Sequence, residues 1–163
     1  MRRVGRVALS AVAASLCVVT MSACEGNRLF MGAQVAAHLD AAGKVEILTY
    51  ACANEPVTSV VAQPDNAEPS WTTSTATRNA GLIRLPADGS DVPGWTTTGS
   101  LGQASRTLVV VYVHKEGGDT QTLQVTPASL SRDTLSVASY AFAGEDHVSE
   151  AEFIKVNQGW CAT

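Results

Sequence analysis

The sequence predicts an all-β domain, an antiparallel β-sandwich with a short C-terminal helix and one disulfide bond. About eight or nine short segments are rich in β-branched and aromatic residues, and turn residues separate them. Some segments are apolar on both faces and others alternate between apolar and polar residues, which is the pattern of central and edge strands. The immunoglobulin fold is one form of this architecture, but the cysteines lack its cysteine–tryptophan–cysteine order.

The clearest strand pair lies within Arg106–Thr126. Its first half, 108–113, is apolar on both faces and rich in valine. Gly117 and Gly118 can take positive φ without steric cost, so they mark a hairpin turn. The returning half alternates between apolar and polar residues. We therefore expect the first strand to be central and the second to lie nearer an edge.

A second hairpin is predicted at the start of the domain. The alanines of residues 32–39 suit a helix, but alternate residues of this segment are also apolar. The turn at Asp40–Gly43 and the good strand at Val45–Cys52 favour a hairpin partner. Both faces of Val45–Cys52 are suited to burial, which indicates another central strand.

The remaining elements follow from shorter signals. Further strands are predicted at 57–63, 71–75, 81–85, 95–98 and 134–142. Ser149 and Glu152 form a capping box ahead of Phe153, and Gly159 is placed to stop a helix. We therefore expect a short helix that returns the C-terminus to the domain.

The first residues have the form of a secretory leader. Met1–Arg6 is basic, Val7–Val19 is apolar and too short to span a bilayer, and small residues precede Cys24. This pattern resembles the lipobox of bacterial lipoprotein precursors, and the alanine-, glycine- and threonine-rich style of the chain is similar to actinobacterial proteins. The resemblance implies that the Cys24 thiol receives a diacylglycerol, that residues 1–23 are removed, and that 24–31 form a short tether to a domain at 32–163. The alternative is an ordinary leader that is cut elsewhere, with Cys24 an incidental thiol.

The other cysteines then suggest a disulfide. If Cys17 leaves with the leader and Cys24 carries lipid, Cys52 and Cys161 remain in an oxidising compartment, where they most simply pair. A metal site is the alternative, but no cluster of ligands accompanies either cysteine.

The charge of the domain restricts its partners. Without residues 1–23 the chain has eight basic and fifteen acidic side chains, and the basic ones form no cluster. An acidic surface of this kind is a poor ligand for nucleic acid or for anionic lipid, and we exclude DNA and RNA as the main partner.

No sequence motif identifies a metal site. His38, His114 and His147 do not have the spacing of metal ligands. The best candidate for a cation site is the acidic group Glu145, Asp146, His147, Glu150 and Glu152. Acidic side chains before a helix N-terminus explain the same residues, so we expect neither a metal nor a cofactor.

No sequence motif identifies catalysis either. The serines form neither a Gly-x-Ser-x-Gly elbow nor a Ser-x-x-Lys motif, and Gly99–Gly102 lacks the lysine of a phosphate-binding loop. A catalytic pair of carboxylates remains an alternative, because a sequence does not show how far apart two carboxylates lie in space. We assign no catalytic residue.

Trp71 and Trp95 are the candidate binding residues. Each precedes a row of threonines, and an exposed tryptophan on such a face could stack on a sugar ring. The alternative places them in or against the core, where large aromatic side chains usually lie.

The sequence therefore favours a lipid-anchored envelope protein on the extracytoplasmic face of the cell membrane. The first hypothesis is a non-enzymatic binding module whose loops contact another envelope component. A wall-glycan binding module that uses the two tryptophans is the second, and a small hydrolase is the third.

Overall fold

The computed structural model describes residues 34–64, 68–102, 105–138 and 146–162. It confirms the β-sandwich, which consists of two five-stranded antiparallel sheets and one C-terminal helix. The strands are β1 Val35–Leu39, β2 Val45–Ala51, β3 Val57–Pro64, β4 Trp71–Ser74, β5 Gly81–Pro86, β6 Thr96–Gly99, β7 Val109–Lys115, β8 Thr120–Val125, β9 Leu135–Val137 and β10 His147–Val148. The helix, α1, is Glu150–Cys161, and Pro127–Ser129 forms one turn of 3-10 helix.

The order of strands agrees with the predicted hairpins. The first sheet has the order β10-β9-β1-β2-β5 and the second has the order β6-β4-β3-β7-β8. Residues 35–39 form a strand that pairs with β2, so the helical alternative for 32–39 is wrong where the structure describes the segment. Gly117 and Gly118 have φ of 98° and 95°, and β8 is an edge strand, as predicted. Of the predicted strand 134–142, residues 135–137 form β9, and 139–145 lie outside the described residues.

The core lies between the two sheets. Alternate residues of each strand point inwards, so Val35 and Ile47 of the first sheet meet Val60 and Val111 of the second in one buried cluster. Of these four residues, none has measurable solvent exposure. This pairing of inner faces leaves each sheet with one outer face.

Helix α1 covers the outer face of the first sheet. The predicted start of the helix is confirmed by one of the two hydrogen bonds of a capping box, in which the Ser149 hydroxyl accepts from the Glu152 backbone N–H at 3.2 Å. Phe153 is fully buried in a second cluster with Leu48 and Leu135, which are outer-face residues of the first sheet. Gly159 lies inside the helix instead of ending it, because α1 continues to Cys161.

The predicted disulfide joins Cys52 to Cys161, with 5.2 Å between their Cα atoms. The bond ties the end of α1 to the residue that follows β2. It therefore connects a helix to a strand and not the two sheets to each other, and the comparison with immunoglobulin domains extends no further than the sandwich.

Polar side chains connect the two sheets beside the disulfide. The Gln121 amide of β8 donates to the Gln34 side-chain oxygen at 3.1 Å, and the Gln34 amide donates to the Cys52 sulfur at 3.5 Å. Gln34 has no solvent exposure and Gln121 has 4 %. A buried amide needs such partners, so these bonds fix the point at which the chain enters β1.

Ionic contacts hold the other end of the helix. The Arg84 guanidinium donates to Glu46 at 2.8 Å and to Glu150, the first residue of α1. His38 contacts the same Glu46 oxygen at 2.8 Å. Hydrogen bonds from His38 and Arg84 hold the pKa of the Glu46 carboxyl below its ordinary value, against the effect of its partial burial.

The contribution of Glu46 to stability should depend on pH. Because its pKa is lower in the folded protein than its ordinary value of 4.5, its stabilisation is complete above about pH 5 and is lost as the pH falls through the folded-state pKa. We expect Glu46→Gln to lower the free energy of unfolding by about 1 kcal/mol at neutral pH, and by progressively less as the pH falls below 4.5. Urea unfolding over a pH series measures this difference.

Glu116→Gln is the matched control for that series. Glu116 pairs with Arg78 at 3.3 Å, but both side chains are more than half exposed, so its loss should have little effect at any pH. A difference between Glu46→Gln and the native protein that does not vary with pH would contradict the assignment.

Candidate functional site

The outer face of the second sheet is the candidate site. No described element covers it, whereas α1 covers the corresponding face of the first sheet. Val109, Val111 and Val113 of β7 point into the core, so the intervening residues of this strand point outwards. The same alternation defines the outer residues of the other four strands.

We call this surface the open face and define it by three rows of cross-strand neighbours. The first row is Thr96, Ser74, Ser59, His114 and Thr120. The second row is Thr98, Thr72, Val61, Tyr112 and Thr122. The third row is Gln63, Val110 and Gln124.

The rows form a regular array of hydrogen-bonding groups. Neighbours within a row are about 4.8 Å apart, and successive rows are about 7 Å apart, because side chains on one face recur at every second residue. Seven of the thirteen residues are serine or threonine, and two are glutamine. Each hydroxyl both donates and accepts hydrogen bonds, so the face suits a ligand that does the same.

An aromatic pair lies on β7, next to the edge strand β8. The Tyr112 and His114 rings are stacked, with their centroids 6.4 Å apart and their planes 8° from parallel. His114 Nδ1 lies 3.1 Å from the Thr120 hydroxyl, and this contact orients the imidazole. Both residues are partly exposed, so part of this aromatic pair is accessible to a ligand.

The open face carries no Asp, Glu, Lys or Arg side chain among its thirteen residues. A typical protein surface of this size would have about three to five of them. The nearest charges of the sheet are at its end, where the Lys115 ammonium is buried against Glu55 at 2.7 Å. The open face can bind and stack, but it has no carboxylate for acid–base chemistry and no cation for an acidic ligand.

Trp71 lies in the core, which is the alternative that the sequence left open for the two tryptophans. Trp71 has no solvent exposure, since it shares the inner side of β4 with Thr73 while Thr72 points outwards. A ring that is fully buried in the core cannot stack on a sugar. Trp95 is partly buried against the same core and precedes β6, so the two tryptophans do not form one surface.

A shallow groove of about 270 Å³ is lined by a serine and a histidine whose side chains lie near each other, as they would in a nucleophilic site. It lies between β8 and the pair β9–β10, and Leu108, which is 42 % exposed, forms part of its wall. Ser136 Oγ is 3.4 Å from His147 Nδ1, a long distance for such a hydrogen bond. The His147 ring is exposed, and no described carboxylate bonds to it. This is not the geometry of an activated serine.

A second groove, of about 260 Å³, lies at the opposite end from the disulfide. Lys44 and Asp88 form an ion pair there at 2.6 Å. Hydrogen bonds from Lys44 and Ser90 hold the pKa of the Asp88 carboxyl far below its usual range. A carboxylate that stays ionised in this way is not a proton donor at neutral pH.

The other predicted sites are only partly described. Glu145 and Cys24 lie outside the described residues. In the part of the chain that the structure describes, no three His, Cys, Asp or Glu side chains are close enough to hold a metal ion. Likewise, no helix among the described residues has both the length and the apolar character needed to cross a bilayer.

Comparisons with known proteins identify no relative. No family model, no curated protein and no solved structure matches this chain. The function of this protein must therefore be inferred from its own residues.

Sequence reasoning did not find the open face. Residues 108–113 are apolar on both faces of a strand that is central as predicted, but on the outer side only Val110 is buried and Tyr112 is partly exposed. The abundance of threonine in β4, β6 and β8 was the available signal. It indicates a site only when the pairing of these distant strands is known.

Proposed function

We propose that this protein is a lipid-anchored envelope protein of the extracytoplasmic membrane face and that its sandwich is a non-enzymatic binding module. The observation that carries the binding role is the uncharged, hydroxyl-rich open face on a sheet that no described element covers. We therefore propose the open face, and not the loops, as the contact surface. A sheet holds its polar side chains in a regular order.

Two observations support the location. The leader pattern that ends at Cys24 supports lipidation, and the Cys52–Cys161 bond is typical of an oxidising compartment outside the cytoplasm. Two acyl chains on Cys24 would give stable anchoring, whereas a single chain gives only marginal binding.

The position at which the tether joins the domain would determine the orientation of the domain on the membrane. Gln34 lies beside the disulfide, since its backbone oxygen accepts from the Tyr50 N–H at 3.0 Å and its side chain contacts Cys52. Residues 24–33 reach at most about 35 Å when fully extended. An anchored domain would thus stay near the bilayer with its disulfide end attached and its open face to the side.

Neither alternative is supported in the form that the sequence suggests. The glycan-binding hypothesis loses its tryptophan platform because Trp71 is buried. A hydrolase is disfavoured because the described grooves contain no activated nucleophile, and the pKa of the Asp88 carboxyl is lowered.

The anchor is tested with two cysteine variants of the full-length chain. We expect Cys24→Ser to leave the membrane fraction, because the residue that would carry the lipid is gone, and its intact mass should lack diacylglycerol. Cys17→Ser should behave as the native protein, because Cys17 lies in the part of the leader that is removed. An unmodified Cys24 in a soluble native protein would refute the anchor.

The binding role is tested by photo-crosslinking in intact cells. A photoreactive side chain at Thr122, which is exposed on the open face, should give a covalent adduct with its neighbour. The same group at Lys155, which is exposed on α1, should give none. Equal adducts at the two positions, or none at Thr122, would remove the open face as the binding surface.

A further inference from the structure

We propose that the open face binds an uncharged polysaccharide chain, with Tyr112 as the residue on which a sugar ring stacks. This inference rests on the proposed binding role of the open face and names the class of its ligand.

The first argument is the distribution of polar and apolar groups across the sheet. In the second row, Val61 and Tyr112 lie in the middle, and threonines lie on both sides of them. A sugar ring has the same distribution, since its faces carry C–H groups and its edges carry hydroxyls. A ring that stacks on Tyr112 would therefore direct hydroxyls towards the adjacent Thr122, and the next ring of a chain could cross Val61 and reach Thr72.

The second argument is charge. The open face lacks any Lys or Arg, so it offers no ion pair to phosphate, sulfate or carboxylate groups. It also lacks Asp and Glu, so it does not select a cationic ligand. Burial of a charged ligand on this face would cost desolvation without a compensating partner, which favours a neutral one.

The third argument is shape. Small-molecule sites are concave and enclose their ligands, whereas the open face is one side of a sheet. A row of five strands extends over about 19 Å, four times the distance between neighbouring strands. A polymer can make weak contacts at several positions along such a row, and together these give useful affinity where a single sugar would not be retained.

The fourth argument separates this ligand from a protein partner. Protein interfaces concentrate their binding energy in tryptophan, tyrosine and arginine residues near the centre of the contact. The open face has Tyr112 alone of these three types and is otherwise dominated by small hydroxyl side chains. A second copy of this chain would also have to bury the unpaired hydroxyls of both faces.

Affinity electrophoresis of the full-length mature protein tests the proposal. The gels contain a soluble linear β-glucan or a mannan as neutral probes, and polygalacturonate or heparin as charged ones. We expect at least one neutral probe to retard the protein and the charged probes to have no effect. Tyr112→Ala should weaken the retardation about fivefold or more, and Tyr112→Phe should retain it, because the ring and not the hydroxyl provides the stacking.

Two further variants keep the result interpretable if Tyr112→Ala is unstable. Thr122→Lys places a bulky cation on the exposed edge of the open face and should abolish retardation without a change in thermal unfolding. Lys155→Thr on α1 should have no effect. Retardation only by charged probes, by no probe, or equally for Tyr112→Ala and the native protein would overturn the proposal.

The outcomes of crosslinking at Thr122 distinguish a failure of the proposed function from a failure of this inference. If crosslinking at Thr122 yields one discrete protein partner or a dimer of this chain, the open face is a binding surface and the polysaccharide is refuted. If Thr122 gives no adduct in cells, the binding role itself fails.

Discussion

The bond between Cys52 and Cys161 determines which surface of this domain is available. A sandwich of two sheets has two outer faces, and the single helix α1 covers one of them. The bond joins residues that are 109 positions apart and contributes about 4–5 kcal/mol in the chain-entropy model. Burial by the helix itself is limited, since Phe153 and Asn157 are its only fully buried residues. The position of α1 on the first sheet therefore depends strongly on this covalent connection and on the Arg84–Glu150 ion pair at its other end.

The residues of each outer face agree with this division. Under the helix, the first sheet presents Leu48 and Leu135, and beside it Glu46 and Arg84 link the sheet to α1. On the second sheet, the same positions in the strand alternation hold mainly threonine, serine and glutamine. Hydroxyl side chains are well solvated and can still form hydrogen bonds with a ligand. A sheet face that carries them does not need a helix over it and can serve as a recognition surface.

Much of the fold was predictable because its signals are local. Gly117 and Gly118 define a hairpin turn, Ser149 and Glu152 define the start of a helix, and alternation defines the strands. The disulfide followed from the small number of cysteines. Gly159 misled because the disulfide extends α1 by a further turn against the low helix propensity of glycine.

The candidate site was not predictable because it depends on distant pairings. The sequence places Trp71 and Trp95 in similar settings, but only the packing of β4 against the first sheet shows that Trp71 is an inner residue. Val61 and Tyr112 are neighbours because β3 pairs with β7, although the two strands lie far apart in the sequence. Local patterns do not determine such a register, so the rows of the open face emerge only from the assembled sheet.

Side-chain oxidation footprinting of the full-length protein, before and after reduction of the disulfide, tests the division of the two faces most directly. With the disulfide intact, Tyr112 should be oxidised readily while Leu48 and Leu135 remain protected beneath α1. After reduction, the two leucines should gain oxidation as the helix leaves the first sheet, and Tyr112 should not change. Protection of Tyr112 equal to that of the leucines in the native protein, or a similar increase on both sheets after reduction, would contradict the account.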